Sequence, residues 1–144
     1  MSDNSYLESS ICIRLATIHQ PTKKGFAGTG QSRRREKSSA AAIAKSIVAG
    51  VRVNHRIERA GVSIDDAELI KLLATALWNV PEGLATDMVG IDANKREAAR
   101  EAIARTLFVA LTDNYTCTFF QPEHHGMKES LANVPGSAFY SRRS

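Results

Sequence analysis

Apolar residues recur at helical spacing along most of the first 112 positions of the chain. In the first such series, Leu7, Ile11, Leu15 and Ile18 are spaced as on one helix face. Ile11, Ile13 and Leu15 also alternate as they would in a strand, which leaves this segment ambiguous. We predict a helix over residues 6–19.

The alanine-rich segment at positions 39–60 is predicted to form a long helix. Ser38 or Ser39 can cap its start, alanine is the best helix former, and Gly61 is a typical residue just after a helix. One side of this helix is apolar and is expected to lie in the core. That side carries Ile43, Ile47, Val48, Val51 and Ile57, together with Ala40, Ala44 and Gly50.

Two further helices have clear start and stop signals. One follows Ser63, which lies three residues before Asp66 in a pattern close to a capping box, and it ends before Pro81. The other runs from about residue 93 to 112 with Asp92 as its N-cap, after a short helix in "LATDMVGI". The inner residues are Leu69, Ile70, Leu73, Leu77 and Val80 in the first helix, and Ala99, Ile103, Leu107, Ala110 and Leu111 in the second.

The remaining segments show little helical periodicity. Residues 20–37 contain one proline, three glycines and many cations, which predicts a flexible basic linker outside the core. The alternation in "YTCTFF" indicates a short strand, and residues 114–144 are otherwise predicted to form an irregular tail. The fold prediction is mostly α: a small helical bundle forming a single domain of residues 1–144, with three main helices and one or two short elements.

Length and composition are typical of a folded soluble domain. The chain has 144 residues, of which 43% are hydrophobic and 24% are charged, and it needs neither disulfides nor metal to form a core. Its first residues lack the basic and apolar regions of a secretory signal, and no apolar run reaches the length of a membrane span. We therefore expect a cytoplasmic protein in which Cys12 and Cys117 are reduced packing residues.

Charge is divided unevenly along the chain, whose net charge is +4. Residues 1–61 carry eleven basic and four acidic side chains, a balance of +7. Residues 62–113 carry five and nine, a balance of −4, and the tail adds +1. Such asymmetry is typical of a protein that meets an acidic partner or that associates through unlike surfaces.

The predicted helix at 39–60 carries a stripe of cations opposite its apolar side. Four cations fall within an arc of about 60°, and more cations lie just upstream. Aligned lysines and arginines match nucleic-acid phosphates better than scattered ones do, although cations are also common on an ordinary solvated helix face. The predicted nucleic-acid-binding residues are Lys45, Arg52, Arg56 and Arg59 on the helix, and Arg33, Arg34, Arg35 and Lys37 upstream.

Three polar residues fall near the apolar sides of the predicted helices. His55 is interpreted as a packing residue, because no serine or cysteine motif accompanies it. Arg96 and Arg100 lie near the inner stripe of the last helix. Either that helix begins outside the core, or the two arginines pair with acids at the start of an earlier helix, namely Asp65, Asp66 or Glu68.

The sequence contains no motif of high specificity for catalysis or metal binding. "CTFFQPEHHG" holds Cys117, Glu123, His124 and His125, but it has neither C-x-x-C nor H-E-x-x-H spacing, so a surface loop is favoured and no metal is predicted. "KKGFAGTGQS" lacks the G-K-[ST] ending of a phosphate loop, and no G-x-S-x-G elbow occurs. At the C-terminus, the residues that can stack on bases, dock on a neighbour or fray are Phe139, Tyr140, Arg142 and Arg143.

The charge distribution favours a non-enzymatic helical protein that binds nucleic-acid backbone with little sequence specificity, as a small subunit of a nucleoprotein complex. Neither a cofactor nor a membrane is expected, and the choice between RNA and DNA is left open. The alternative is a homo-oligomeric or partner-binding helical module that does not bind nucleic acid. An enzyme that uses Cys117, His124 or His125 is the third and least favoured interpretation.

Overall fold

A computed structural model describes residues 4–121, with side chains described from Tyr6 onward. Helices dominate this part of the chain, which confirms the mostly-α prediction. In chain order, the elements are α1 (Asn4–Ala16), α2 (Gln20–Ala27), α3 (Lys37–Val51), β1 (His55–Arg59), β2 (Val62–Ser63), α4 (Asp66–Trp78), α5 (Glu82–Met88), α6 (Ala93–Asn114) and β3 (Thr116–Phe119).

One hydrophobic core joins the six helices of the described residues. Helix α3 packs mainly against α4, whereas α6 packs against α1, α5 and α4. Burial of one large apolar side chain contributes roughly 1.5–3 kcal/mol relative to exposure, so this cluster dominates the stability. The largest fully buried side chains are Leu7, Ile11, Leu15, Phe26, Ile43, Ile47, Ile57, Leu69, Leu73, Leu77, Met88 and Ile103.

Local capping interactions fix where α4 and α6 begin. The Asp92 side chain accepts hydrogen bonds from two backbone amides in the first turn of α6, as the sequence predicts. At α4 the cap is Asp65, whose carboxylate accepts a hydrogen bond from the Glu68 amide at 2.9 Å. The Ser63 cap expected from the sequence is wrong, because Ser63 lies in β2.

The helix expected over residues 39–60 is wrong in its second half. Helix α3 ends at Val51, and residues 55–59 form β1. In this strand His55 and Ile57 are buried while Arg56 between them is exposed, so a period of two replaces the period of 3.6. Pairing with β3 gives the backbone of β1 the hydrogen bonds that a helix would otherwise supply.

The sheet has the strand order β2-β1-β3, and both strand pairs are antiparallel. Ala60 and Gly61 join β1 to β2 with φ values of 54° and 81°. Two left-handed residues in a two-residue loop are typical of a type I′ turn, which matches the twist of the strands. Gly61 is therefore a hairpin residue and not the end of a helix, whereas β3 confirms the short strand predicted in "YTCTFF".

Residues 20–37 are folded, so the prediction of a flexible linker outside the core is wrong. Helix α2 has Pro21 in its first turn and ends at Gly28, whose φ is 86°. Phe26 has no exposed surface, and α2 packs against α3 and α5. The proline and the glycine mark the start and the stop of a short helix, which are positions that these residues favour.

Residues 122–144 lie outside the described residues, and the irregular tail predicted there stays a prediction. Within residues 4–121, no helix has both the length and the apolar character needed to cross a membrane. Cys12 and Cys117 are free thiols at half-buried positions.

Candidate functional site

The four cations expected to form one helical stripe lie on different elements. Lys45 is exposed on α3, Arg52 directly follows that helix, and Arg56 and Arg59 belong to β1. Because side chains alternate along a strand, Arg56 and Arg59 point to opposite faces of the sheet. The stripe geometry is therefore wrong, since the helix that would align the four residues ends at Val51.

Two of these arginines are held by carboxylates at the start of α4. Arg52 Nε lies 2.5 Å from Asp66 Oδ1, and the Arg52 side chain also donates to the Ile64 carbonyl. Arg59 pairs with Glu68 Oε2 at 2.6 Å. Arg52 joins the end of α3 to the start of α4, and Arg59 joins β1 to α4, so the charges of both arginines are already compensated within the fold.

These ion pairs also decide between the two alternatives given for Arg96 and Arg100. The acids suggested as their partners are engaged elsewhere, so the pairing alternative is wrong. Arg96 instead donates to the Gly90 carbonyl at 3.0 Å. The first three residues of α6 are exposed, which agrees with the alternative that this helix begins outside the core.

Glu68 is also the centre of a polar cluster. The Tyr115 hydroxyl donates to Glu68 Oε2 at 2.8 Å, and the Arg59 guanidinium lies 5.2 Å from the centre of the Tyr115 ring. Hydrogen bonds from Tyr115 and then from Arg59 lower the pKa of Glu68. Burial, and then the bond to Glu68, raises the pKa of Tyr115. Both shifts move these groups away from neutral pH, so the cluster suits structure better than acid–base catalysis.

A Glu68→Gln substitution is expected to lower stability in a pH-dependent way. A carboxylate with a lowered pKa stabilises the fold above its ordinary value of 4.5 and loses that contribution as the pH falls through the folded-state value. Denaturant unfolding should therefore show a difference between wild type and variant that is complete at pH 7 and shrinks below pH 4.5. A difference of the same size at pH 7 and pH 3 would contradict this assignment.

Arg35 has a structural role, in contrast to its predicted role in nucleic-acid binding. Its Nε donates to the Phe26 carbonyl at 2.9 Å, and its terminal nitrogens donate to the carbonyls of Leu77, Trp78 and Val80 at 3.2–3.5 Å. The guanidinium also lies about 5 Å from the ring centres of Phe26 and Trp78. Arg35 thus joins the C-terminal ends of α2 and α4, where a cation is favoured by the helix dipoles.

Four other cations around α2 differ from the half-buried Arg35 in their exposure. All are exposed, and none takes part in the three ion pairs of the described residues. The loop after α2 folds back onto that helix, because the Glu36 amide donates to the Gly25 carbonyl at 3.0 Å. Residues just before Glu36 are thereby kept near the end of α2. We name these four residues the α2 surface: Lys24, Arg33, Arg34 and Lys37.

The segment that carries the α2 surface has a large excess of positive charge. Residues 20–37 contain six lysines and arginines and a single carboxylate, Glu36, which gives a net charge of +5. At one end of this surface Lys37 Nζ lies 5.5 Å from the centre of the Trp78 ring. Lys37 and Trp78 line the same open cleft of about 230 Å³. One cation of the α2 surface and an aromatic ring therefore meet at this cleft.

The other sequence candidates do not form a reactive centre. His55 is buried, with Nδ1 2.9 Å from Asn54 Oδ1 and its ring edge-on to Phe119, which agrees with a packing role. Burial raises the pKa of the Cys117 thiol to about 11, so this thiol stays protonated near neutral pH. Within the described part of the chain, no group of three His, Cys, Asp or Glu side chains could hold a metal ion.

The remaining candidates lie outside the described residues: Glu123, His124, His125, Phe139, Tyr140, Arg142 and Arg143. Nothing in the sequence pattern separates Arg35 from Arg33 and Arg34, and only the hydrogen bonds of Arg35 to carbonyls at the ends of α2 and α4 do so. Comparison with known proteins gives no further guide to the site. No family model matches the sequence, and neither a curated protein nor a solved structure is significantly similar to it.

Proposed function

We propose that the α2 surface binds the phosphate backbone of nucleic acid without catalysis and with little sequence specificity. The observation that carries this proposal is a folded segment of net charge +5 whose four exposed cations take no part in the ion pairs of the described residues. Three arginines elsewhere in the described residues, Arg52, Arg59 and Arg105, each have a carboxylate partner. A concentration of unmatched charge repels itself and favours a polyanionic ligand.

Trp78 favours a single-stranded ligand. An aromatic ring next to phosphate-binding cations is the usual way in which proteins hold unpaired bases, because every base can stack on such a ring. The Trp78 side chain is half-buried and lines the cleft beside Lys37. A base bound there would place its own phosphates near the α2 surface.

The carboxylates at the start of α4 support the second part of the proposal, which concerns a protein partner. Asp65 and Asp66 at the start of α4 would repel phosphates, so α4 is unsuited to the role of a recognition helix in a DNA groove. Asp65 caps α4 but takes part in none of the ion pairs of the described residues, so its charge suits contact with a basic neighbour. We therefore propose that the protein is a small subunit of a nucleoprotein complex. The free thiols of Cys12 and Cys117 fit a reducing compartment such as the cytoplasm.

Fluorescence anisotropy with labelled single-stranded RNA, single-stranded DNA and duplex DNA tests the proposal. Four phosphate contacts to a single strand predict a slope of about −3 in a plot of log K against log salt. The triple variant Lys24→Glu, Arg33→Glu, Arg34→Glu should bind at least about 30-fold more weakly, because attraction is replaced by repulsion at three positions. Quenching of Trp78, the single tryptophan of the chain, supplies a second readout.

A matched variant separates local contact from the effect of net charge. Lys45→Glu, Arg56→Glu, Lys71→Glu reverses the same number of charges at exposed positions outside the α2 surface. It should weaken binding by less than about threefold at physiological salt, where charges beyond about 8 Å are screened. Equal losses in the two folded variants, or no binding by wild type at low salt, would overturn the proposal and favour a protein partner.

A further inference from the structure

A second group of cations lies in a cleft of about 360 Å³ where α2 meets the end of α5 and the start of α6. Lys23 of α2 and Arg96 of α6 line this cleft, together with Gln20 and the turn at Gly90. Arg100 follows Arg96 by one helical turn and is therefore on the same side of α6. Lys23 and Arg96 thus line one recess from two helices, and Arg100 lies close enough for its charge to act on Lys23.

The charges in this cleft are uncompensated among the described residues. None of the three ion pairs in that part of the chain involves Lys23, Arg96 or Arg100. The pKa of Lys23 is lowered, first by burial and then by the charges of Arg100 and Arg96. The carboxylates on α5 and the first half of α6 do not line the cleft; they are Glu82, Asp87, Asp92, Glu97 and Glu101.

Arg96 is oriented by the fold. One terminal nitrogen of its guanidinium donates to the Gly90 carbonyl at 3.0 Å, which anchors the side chain at the cleft wall. A guanidinium has five N–H donors, so this bond leaves others for a ligand. Arginine grips phosphate in a bidentate manner, whereas an ammonium group such as that of Lys23 acts as a point charge.

Clustered cations with reduced solvent contact destabilise the unliganded protein, and a bound anion removes that cost. A phosphate monoester carries a charge of about −1.5 to −2 near pH 7, whereas a backbone diester carries only one negative charge. Three cations therefore match a monoester better than they match one link of a nucleic-acid chain. Gln20 adds an amide that can donate to a phosphate oxygen.

We propose that this cleft binds a phosphate monoester, supplied either by a terminal phosphate of nucleic acid or by a free phosphorylated compound. The site is distinct from the α2 surface and stands whether or not that surface binds nucleic acid. Lys23, Arg96 and Arg100 hold the phosphate, and Gly90 fixes the position of Arg96.

Calorimetric titration of the full chain with inorganic phosphate tests the site without any nucleic acid. Wild type should bind one phosphate with a dissociation constant near or below about 1 mM, and Lys23→Gln should weaken binding about tenfold or more. The Lys23→Gln variant should keep or exceed the wild-type Tm, because it removes a cation from a repulsive cluster. An unchanged or higher Tm would show that Lys23→Gln weakens phosphate binding through the site and not through unfolding.

Lys95→Gln is the matched control, since Lys95 precedes Arg96 on α6 but is exposed and does not line the cleft. Its affinity should stay within about twofold of wild type. Absence of saturable phosphate binding by wild type would overturn the proposal. An equal loss of affinity in Lys95→Gln and Lys23→Gln would overturn it as well, because it would indicate diffuse charge attraction only.

A comparison of 5′-phosphorylated and 5′-hydroxyl oligonucleotides then identifies the source of the phosphate. Tighter binding of the phosphorylated chain by wild type, but not by Lys23→Gln, supports the site with a nucleic-acid end as its ligand. Equal binding of the two chains, with phosphate binding intact in calorimetry, supports the site with a free phosphorylated compound as its ligand. If the α2-surface triple variant also lost phosphate binding, this result would contradict the proposal that the cleft and the α2 surface are separate sites.

Discussion

A Phe26→Ala substitution is expected to lower the free energy of unfolding by about 3–5 kcal/mol. Phe26 has no exposed surface, and its ring packs under the guanidinium of Arg35 at 4.8 Å. Removal of a buried phenyl ring loses its transfer free energy and leaves a cavity between α2 and the core. The effect is diagnostic, because a substitution in a flexible linker would change the unfolding free energy by less than about 0.5 kcal/mol.

Urea or guanidinium unfolding followed by circular dichroism measures this change. Ile13→Ala is the matched control, since Ile13 lies in a helix but is 66% exposed. It should cost less than about 0.5 kcal/mol. If Phe26→Ala and Ile13→Ala lower the free energy of unfolding by the same amount, α2 is not part of the core and the α2 surface is not held in place.

An Arg35→Ala substitution is expected to cost about 2–4 kcal/mol of stability. Arg35 donates to four carbonyls, and hydrogen bonds from a charged group contribute about 1.5–3 kcal/mol each before the remaining partners are rehydrated. Its stacking on Phe26 and Trp78 adds to that value. Arg35→Lys should recover only part of the loss, because one ammonium group cannot reproduce the planar array of donors.

Substitution of the neighbouring Arg34 is the control for Arg35→Ala. Arg34 is exposed and belongs to the α2 surface, so Arg34→Ala should change stability by less than about 0.5 kcal/mol. Thermal and denaturant unfolding of both single variants gives the contrast directly. Similar small effects for Arg35→Ala and Arg34→Ala would mean that Arg35 does not join α2 to α4.

Elements with strong local signals were predictable from the sequence. Helix α6 has its Asp92 cap and a buried series at a spacing of four, which includes Ala99, Ile103, Leu107 and Leu111. Strand β3 is short, but alternation in its residues is visible without knowledge of the fold. These signals lie within a few residues of one another, so no tertiary contact is needed to interpret them.

Strand β1 and helix α2 show where local patterns fail. Residues 55–59 follow an alanine-rich helix and carry one apolar residue, Ile57, that fits its spacing, but they pair with β3 about 60 positions later. That pairing decides the conformation, and no local pattern contains it. In residues 20–37, Phe26 is the one large apolar residue that signals burial, and the surrounding glycines and cations conceal it.

The charge excess of the N-terminal half was visible in the sequence. Which of its cations make contacts within the fold, and which stay exposed, was not. Arg33, Arg34 and Arg35 are chemically identical, and only the carbonyls at the end of α4 that Arg35 reaches make the third one structural. The cleft that Lys23 and Arg96 line likewise joins segments more than 70 residues apart, and Arg100 acts on Lys23 across the same distance in sequence. Such groupings require the three-dimensional arrangement of the helices.

The most direct test of the central claim, that nucleic acid binds at the α2 surface, is an NMR titration of the ¹⁵N-labelled protein with a short single-stranded oligonucleotide. We predict saturable shift changes at backbone amides of residues 24–37 and at the Trp78 indole. Amides of Lys45, Arg52, Arg56 and Arg59 should stay nearly unchanged. Shift changes centred on those four residues, or no saturable change at all, would contradict the claim.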